Sequence, residues 1–289
     1  MLNFCSLYSG SSGNSLFVQN ENTNILIDAG ESAKKIVNAL SSINVPIEKI
    51  DAIVVTHEHL DHVKSIGTLS SKYNIPVYAT EKTWSAMPVQ SAKIDKKLQR
   101  LFSSSIDFTV GDLQLHPFSI PHDAADPCGF NIKSENKKIS IATDLGHITP
   151  EIITNLRDSS FILLESNYDP EILKFSRYPY YLKQRISGIN GHLSNIDAGN
   201  LISKLIGANL QSIMLGHLSK ENNFPELAYK TVVDELINNK RDISKLDINS
   251  TLKNYKNFII KENLHVTYKY NLCWKIKRKI FARCIIWIF

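Results

Sequence analysis

Three histidines and an aspartate, His57, His59, Asp61 and His62, fall within six residues of one another, directly after a β-branched run from Ile53 to Thr56. The run reads as a buried strand, so these side chains stand where a strand gives way to a loop. A loop escapes the strict alternation of a strand, and neighbouring residues in it can turn toward two adjacent centres. Imidazole mixed with carboxylate is the ligand set of zinc, manganese or iron and not of calcium. Burial or exposure accounts for single histidines, not for this cluster. A zincin motif is excluded, because H-E-x-x-H starting at His57 needs a histidine where Asp61 stands.

The rest of the chain supplies alternating strands and helices around that loop. Leu2 to Tyr8 reads as a strand, followed by the loop S-G-S-S-G-N-S from Ser9 to Ser15 and a strand from Leu16 to Gln19. The loop lacks the G-K-[ST] ending and the following helix of a P-loop, so it reads as a tight turn offering backbone N–H groups near a site. Asn24 to Asp28 is a third strand. Apolar spacing then predicts an amphipathic helix over 30–40, capped near Glu31 and Ser32. A helix over 63–73, a strand over 76–79, a helix over 82–87 and a basic irregular stretch over 93–100 follow. Strands dominate from Ile106 to Asp144, and helix alternates with strand from Thr149 to Leu236, with buried strands at 161–164 and 212–215.

No Pro/Gly/Ser-rich linker and no internal repeat divides the 289 residues, so one domain over 1–270 is expected. Residues 271–289 form a basic and then apolar tail, suited to docking on the core, touching a membrane surface or helping an oligomer form. Oligomeric state is not readable. The four cysteines show no C-x-x-C pairing and no disulfide framework, which predicts reduced thiols and a cytoplasmic protein. The N-terminus has no basic n-region, and no apolar run reaches the length of a membrane helix, so no integral membrane association is expected.

Further polar residues end other strands: His122 after S-I-P, Asp144 after I-S-I-A-T, Glu165 after F-I-L-L, and His192 and His217 in two G-H-L-S phrases. Gly191 and Gly216 allow close backbone approach beside those histidines. Taken with T-H-E-H-L-D-H, S-G-S-S-G-N-S, P-H-D-A and E-S-N-Y-D, the chain resembles the metallo-β-lactamase superfamily, with its H-x-H-x-D-H hallmark. Within it the likeness is to YycJ/WalJ-type hydrolases, near the ribonuclease Z and phosphodiesterase branch, over about Leu2 to Val233.

The resemblance implies an α/β fold, an αββα sandwich of two mixed sheets with flanking helices and a site at one edge. It implies two divalent ions, zinc or manganese: one held by His57, His59 and His122, the second by Asp61, His62 and His217, with Asp144 bridging. Asp123 is an alternative to His122. His192 would face a phosphate, paired with Glu165; Glu165 could instead only orient a ligand. Asp61, His192 and Glu165 are the expected catalytic set. His116, His147 and His265 have no matching role.

The net charge of +5 permits a polyanionic partner without demanding one. Between Ile172 and Gly191 there is no acidic residue, while Lys174, Arg177, Lys183 and Arg185 interleave with Phe175, Tyr178, Tyr180 and Tyr181. Cations for phosphate beside aromatic faces for bases suit a nucleic-acid groove, with Lys174, Arg177, Tyr178, Lys183 and Arg185 as substrate contacts. An amphipathic helix with a buried tyrosine face is the structural alternative. The short stretch between Asp144 and His192 has no room for the inserted domain of ribonuclease J-like enzymes. The resemblance therefore implies a 5′-to-3′ exonuclease on DNA ahead of RNA; a small-molecule phosphodiesterase, a ribonuclease and a non-catalytic nucleic-acid-binding protein are the other readings.

Overall fold

The I-L-I run at 25–27 is apolar at every position because both of its faces are buried. Ile25 and Ile27 point between two sheets, and Leu26 points outward under helices. Residues 161–164 follow the same rule: Phe161 and Leu163 enter the inter-sheet core, Ile162 and Leu164 the helix-covered face. Strands covered on both sides lose the polar-apolar alternation of a half-exposed strand. Each such fully buried side chain stabilises the fold by about 1.5–3 kcal/mol.

The computed structural model describes residues 2–207 and 209–251, with the backbone alone of 256–258. The first sheet contains β1 (Asn3–Tyr8), β2 (Ser15–Gln19), β3 (Asn24–Ile27), β4 (Ala52–Val54), β5 (Val77–Ala79) and β6 (Gln99–Leu101) in that order. The second contains β7 (Phe108–Val110), β8 (Leu113–Ser119), β9 (Cys128–Ser134), β10 (Lys137–Ala142), β11 (Phe161–Glu165), β12 (Ser212–Gly216) and β13 (Asp247–Ser250). A late strand, β14 (Lys256–Phe258), pairs antiparallel with β1 and completes the first sheet. Both sheets are mixed. Pairing is antiparallel from β1 to β3 and from β7 to β10, and parallel from β3 to β6 and from β10 to β13.

The helices Ala33–Ser42 and Ile66–Tyr73 cover the first sheet through Ile36, Leu40, Ile66 and Leu69. Pro150–Leu156, Asn195–Leu205 and Pro225–Asn238 cover the second through Ile152, Leu201, Ile202, Val232 and Leu236. The result is the expected αββα sandwich. At the far end from the site the two sheets are tied by Asp112, in the β7–β8 turn. Its carboxylate accepts from Thr23 Oγ1 (2.6 Å), Asn20 Nδ2 (2.7 Å) and Asn22 Nδ2 (2.8 Å) of the β2–β3 turn.

Some boundaries differ from the sequence reading. The helix expected over 63–73 is two helices, Leu60–Val63 and Ile66–Tyr73. Ser65 breaks it because its N–H and hydroxyl both donate to the Ala29 carbonyl, at 3.0 and 3.1 Å. The first helix starts at Ala33 and not at Gly30, since Gly30 is packed beneath the histidine loop. The basic stretch over 93–100 contains one 3₁₀ turn, Lys96–Leu98, and then enters the edge strand β6. The tyrosine-rich helix Tyr180–Ile186 buries none of its residues, so the amphipathic alternative for that segment is wrong. Among the described residues no helix is long and apolar enough to cross a membrane. The tail 271–289, His265, Cys273 and Cys284 lie outside the described residues.

Candidate metal centre

Strands β3, β4, β10, β11 and β12 end at one edge, and each delivers a polar side chain there. Three of these deliveries use a left-handed backbone on a residue other than glycine: Asp28 (φ 63°), Asp144 (φ 59°) and His217 (φ 53°). Such conformations are uncommon outside glycine, and each costs free energy that surrounding structure must offset. Here the reversal turns a side chain from the strand direction into the edge cavity.

His57, His59 and His122 form one group. His57 Nε2 lies 3.1 Å from His59 Nδ1, which lies 3.3 Å from His122 Nε2. The opposite nitrogens of His57 and His122 are committed elsewhere. His122 Nδ1 donates to the Gly191 carbonyl (3.1 Å). His57 Nδ1 meets Thr56 Oγ1 (3.0 Å), whose own hydrogen goes to Asp28 Oδ2 (2.8 Å). The tautomers so fixed aim the lone pairs of His57 Nε2 and His122 Nε2 at His59 Nδ1, a convergence of nitrogens that suits a shared cation. Burial, reinforced by the neighbouring imidazoles, pushes the His57 pKa well below its ordinary value, which keeps it neutral.

Asp61, His62 and His217 form a second group. His62 Nδ1 donates to Asp28 Oδ2 (2.8 Å) and His217 Nδ1 to Glu165 Oε1 (2.7 Å). Between the groups sits Asp144, buried, 3.3 Å from His62 Nε2, 3.5 Å from His217 Nε2 and 3.7 Å from His122 Nε2. Burial would lower the His62 pKa, but Asp144, Asp28 and Asp61 raise it to about 9. The same carboxylates that favour a proton there favour a divalent cation. His217 Nε2 and Asp144 Oδ2 are buried without a hydrogen-bond partner. Unpartnered buried polar atoms are rare, and this pair, with the converging imidazole nitrogens, fits a metal donor set.

Glu165 is completely buried and joins two histidines. Oε1 accepts from His192 Nδ1 (2.9 Å) as well as from His217, while Oε2 accepts from the N–H groups of Leu145 (2.6 Å) and Leu193 (3.1 Å). Burial alone would raise its pKa, but His192 and His217 hold it below the usual carboxylate range. In return Glu165 raises His192 against the opposing effect of burial. The two roles weighed from the sequence, partner of His192 and support for a ligand, thus coincide in one carboxylate.

Asp123 sits at the rim, a third exposed, with one oxygen 3.4 Å from His122 Nε2 and the other accepting from Arg185 Nε at 2.7 Å. His122 itself stands inside the first group. Of the other residues read as substrate contacts, Arg177 is exposed and Tyr178 half-buried beside Glu171 and Glu221 in a cleft of about 640 Å³. Lys174 and Lys183 line a neighbouring cleft of about 410 Å³, where Lys183 Nζ donates to the Lys174 carbonyl (2.6 Å). His116 pairs with Asp107 and His147 donates to the Ile189 carbonyl, both away from the two groups.

Three residues of the site, Asp28, Asn14 and Asn167, escape the sequence reading. Asp28 orients His62 and Thr56, the latter through Thr56 N–H (2.8 Å) as well as its hydroxyl. Asn14, from the S-G-S-S-G-N-S loop, donates to Asp61 Oδ2 (3.3 Å), and Asn167 donates to the His217 carbonyl (2.8 Å). For Asp28 a signal exists: I-L-I-D ends a buried strand on an acid, as I-S-I-A-T-D does at Asp144. The loop also sits where a turn near the site is expected, since Ser9 Oγ accepts from His217 N–H (2.8 Å).

Residues 23–212 match the family described as beta-lactamase superfamily domain. The chain is 40% identical to Exodeoxyribonuclease WalJ of Streptococcus pneumoniae over 80% of this chain and 86% of that one. It is 37% identical to Exodeoxyribonuclease YycJ of Bacillus anthracis, over 80% of this chain and 88% of that protein. Among solved structures, the metallo-beta-lactamase fold protein YhfI of Bacillus subtilis superposes with a TM-score of 0.64 at 13% identity, covering 90% of this chain and all of that one. That last likeness is one of fold alone.

Proposed function

The chain belongs to the beta-lactamase superfamily, and on that premise we propose that it is a metal-dependent exodeoxyribonuclease degrading DNA from the 5′ end. The observation that carries the reading is the pair of ligand groups with Asp144 between them, in a chain 37–40% identical to two named exodeoxyribonucleases over most of its length. His57, His59 and His122 would hold one divalent ion, Asp61, His62 and His217 the other, and Asp144 would reach both. Zinc and manganese each suit this set. When bound, the ions supply an activated water and polarise a phosphate oxygen.

The chain's own residues supply the rest. Asp28 and Glu165 fix the tautomers of His62 and His217, so that Nε2 of each faces the centre. Glu165 holds His192 by Nδ1 and favours its protonated form, leaving Nε2–H to donate toward a phosphate or leaving oxygen. Lys174, Arg177, Tyr178, Lys183 and Arg185 lie on the lobe beside His192 and contact the strand. A cytoplasmic setting suits the buried thiols of Cys5 and Cys128. Residues 1–270 act as one hydrolase domain.

The test is hydrolysis of end-labelled DNA by the purified protein with added manganese or zinc, beside Asp61→Ala. Stepwise release of nucleotides from the 5′ end, abolished by the substitution, is the expected result. Cleavage of bis-(p-nitrophenyl) phosphate with no cleavage of any DNA would overturn the nuclease reading in favour of a small-molecule phosphodiesterase.

A further inference from the structure

The loop between β1 and β2, Ser9 to Asn14, ends on a side chain that is 5% exposed and lies against the metal centre. Both backbone groups of Asn14 are fixed: its N–H donates to the Asp61 carbonyl and its carbonyl accepts from Gly30 N–H, each at 2.7 Å. The side chain is fixed too. Gly10 N–H meets one terminal atom at 2.9 Å, and a backbone N–H only donates, so that atom is Oδ1. Gly10 takes a φ of 133°, which an L side chain rarely adopts, and a Cβ there would stand 3.2 Å from the Leu218 carbonyl oxygen. The turn that orients the amide is therefore one that glycine makes possible.

With Oδ1 occupied, Nδ2 faces the centre. It lies 3.3 Å from Asp61 Oδ2, 3.4 Å from the Asp61 carbonyl oxygen and 3.0 Å from His62 Nε2. Two members of the second ligand group are thus within reach of one amide nitrogen. Nδ2 carries two hydrogens, and Asp61 takes one of them. The other is directed at His62 Nε2, which is a bare acceptor because Nδ1 donates to Asp28. An ion held by Asp61, His62 and His217 would use that same lone pair and leave the second hydrogen without its acceptor. A buried donor with no acceptor costs free energy. The acceptor that a phosphodiester brings to the same spot is a phosphate oxygen.

We propose that Asn14 is a catalytic residue whose second Nδ2 hydrogen is donated to a non-bridging oxygen of the scissile phosphate. The proposal rests on the phosphodiester-hydrolase reading and names a donor for the reacting group. Fixed donors aimed at the phosphate oxygens lower the barrier where negative charge gathers on them. The Asn14 amide is neutral, so it does not compete with an ion for the site. It is held through Gly10, Gly30 and Asp61, so it need not reorganise during the reaction. It approaches from the β1–β2 loop, whereas His192 approaches from the loop before helix Asn195–Leu205. One donor can meet a non-bridging oxygen while the other meets the leaving oxygen.

The experiment uses the full-length protein loaded with manganese. Asn14→Ala removes the amide, and Asn14→Asp keeps an acceptor for Gly10 N–H while removing the donor. Each lowers kcat on DNA and on bis-(p-nitrophenyl) phosphate by about 100-fold, the effect of losing one such donor. Calorimetric titration with a deoxynucleoside 5′-monophosphate shows affinity falling by about tenfold in Asn14→Ala. Chelator competition shows Asn14→Asp taking up metal no more weakly than the wild type. Sulfur accepts hydrogen bonds poorly, so phosphorothioate DNA separates contact from scaffolding. In Asn14→Ala the slowing caused by sulfur shrinks by about tenfold at one diastereomer and is unchanged at the other. Equal sulfur effects in wild type and variant at both diastereomers overturn the proposal. So does recovery of wild-type kcat in Asn14→Ala at saturating metal, which would leave Asn14 as a support for Asp61 alone. Where circular dichroism shows Asn14→Ala unfolded, Asn14→Asp decides, and an undiminished kcat overturns the proposal. Absence of DNA hydrolysis by the wild type counts against the nuclease reading alone, since the same variants are then judged on the small ester; hydrolysis of neither overturns both.

Discussion

Replacing Glu165 by glutamine removes one charge and changes little in volume, yet it takes one acceptor from a site that uses both carboxylate oxygens. Both are engaged: Oε1 accepts from His192, His217 and, at 3.4 Å, Asn167 Nδ2, and Oε2 from the N–H groups of Leu145 and Leu193. A glutamine keeps one acceptor. Turned one way, its NH₂ meets the N–H groups of Leu145 and Leu193. Turned the other, it meets Asn167 Nδ2 and two imidazole Nδ1 atoms that must give up their protons, and with them the tautomers that aim Nε2 at the centre. Hydrogen bonds to a charged group contribute about 1.5–3 kcal/mol each, so two lost bonds amount to about 3–6 kcal/mol before relaxation. Removing one partner of a buried charged network costs about 3–5 kcal/mol by a separate route, and the two figures agree. Urea denaturation of metal-stripped Glu165→Gln should therefore show a loss of about 3–5 kcal/mol. Because His217 loses its orienting partner, metal affinity measured by chelator competition should fall by about 10- to 100-fold. A variant within 1 kcal/mol of wild type that also binds metal with unchanged affinity would refute the assignment of Glu165 as the support of both histidines.

Three further outcomes follow from the geometry. Asp28→Asn should weaken metal binding by about 10- to 100-fold, read by chelator competition, because the amide keeps only one of the two acceptor oxygens that together anchor His62 Nδ1 and Thr56. Gly30→Ala should fail to give folded, metal-binding protein by circular dichroism and metal titration, since the new Cβ would stand 1.6 Å from the Asp61 carbonyl oxygen. Asp112 is held at about 2 by hydrogen bonds from Thr23, Asn22 and Asn20, below its value in the unfolded chain. Its contribution to stability is therefore present above about pH 4 and lost as pH falls toward 2. Acid titration of Asp112→Asn should show a shallower stability loss over that window than the wild type.

What could be read in advance and what could not divide along a physical line. His57, His59, Asp61 and His62 declare themselves because four ligands crowd one loop, a local pattern. Asp144, His122 and His217 are legible as polar residues terminating apolar strands. Both-face burial makes β3, β11 and β12 continuous apolar runs, so the layered fold is legible as well. Asp28 ends an apolar strand in the same way, whereas Asn14 and Asn167 carry no such mark, because their partners at Asp61 and His217 lie tens of residues away and appear only when strands align. The break at Ser65 is hidden for the same reason: it is made by the Ala29 carbonyl, not by any helix-breaking residue. The left-handed turns at Asp28, Asp144 and His217 are equally silent, since aspartate and histidine adopt that conformation without announcing it.

The hydrogen bond from His217 N–H to Ser9 Oγ joins residues 208 apart in the chain. Contacts of such long range are late and slow to form, because the intervening loop must be closed first. A chain emerging from the ribosome presents the T-H-E-H-L-D-H loop and His122 long before β12 is synthesised, and it therefore carries one ligand group without the other. The centre is completed only when the last parallel strands have docked, since the second ligand group needs His217 at the end of β12. Fragments cut anywhere between Ser9 and His217 should bind metal poorly and leave DNA intact.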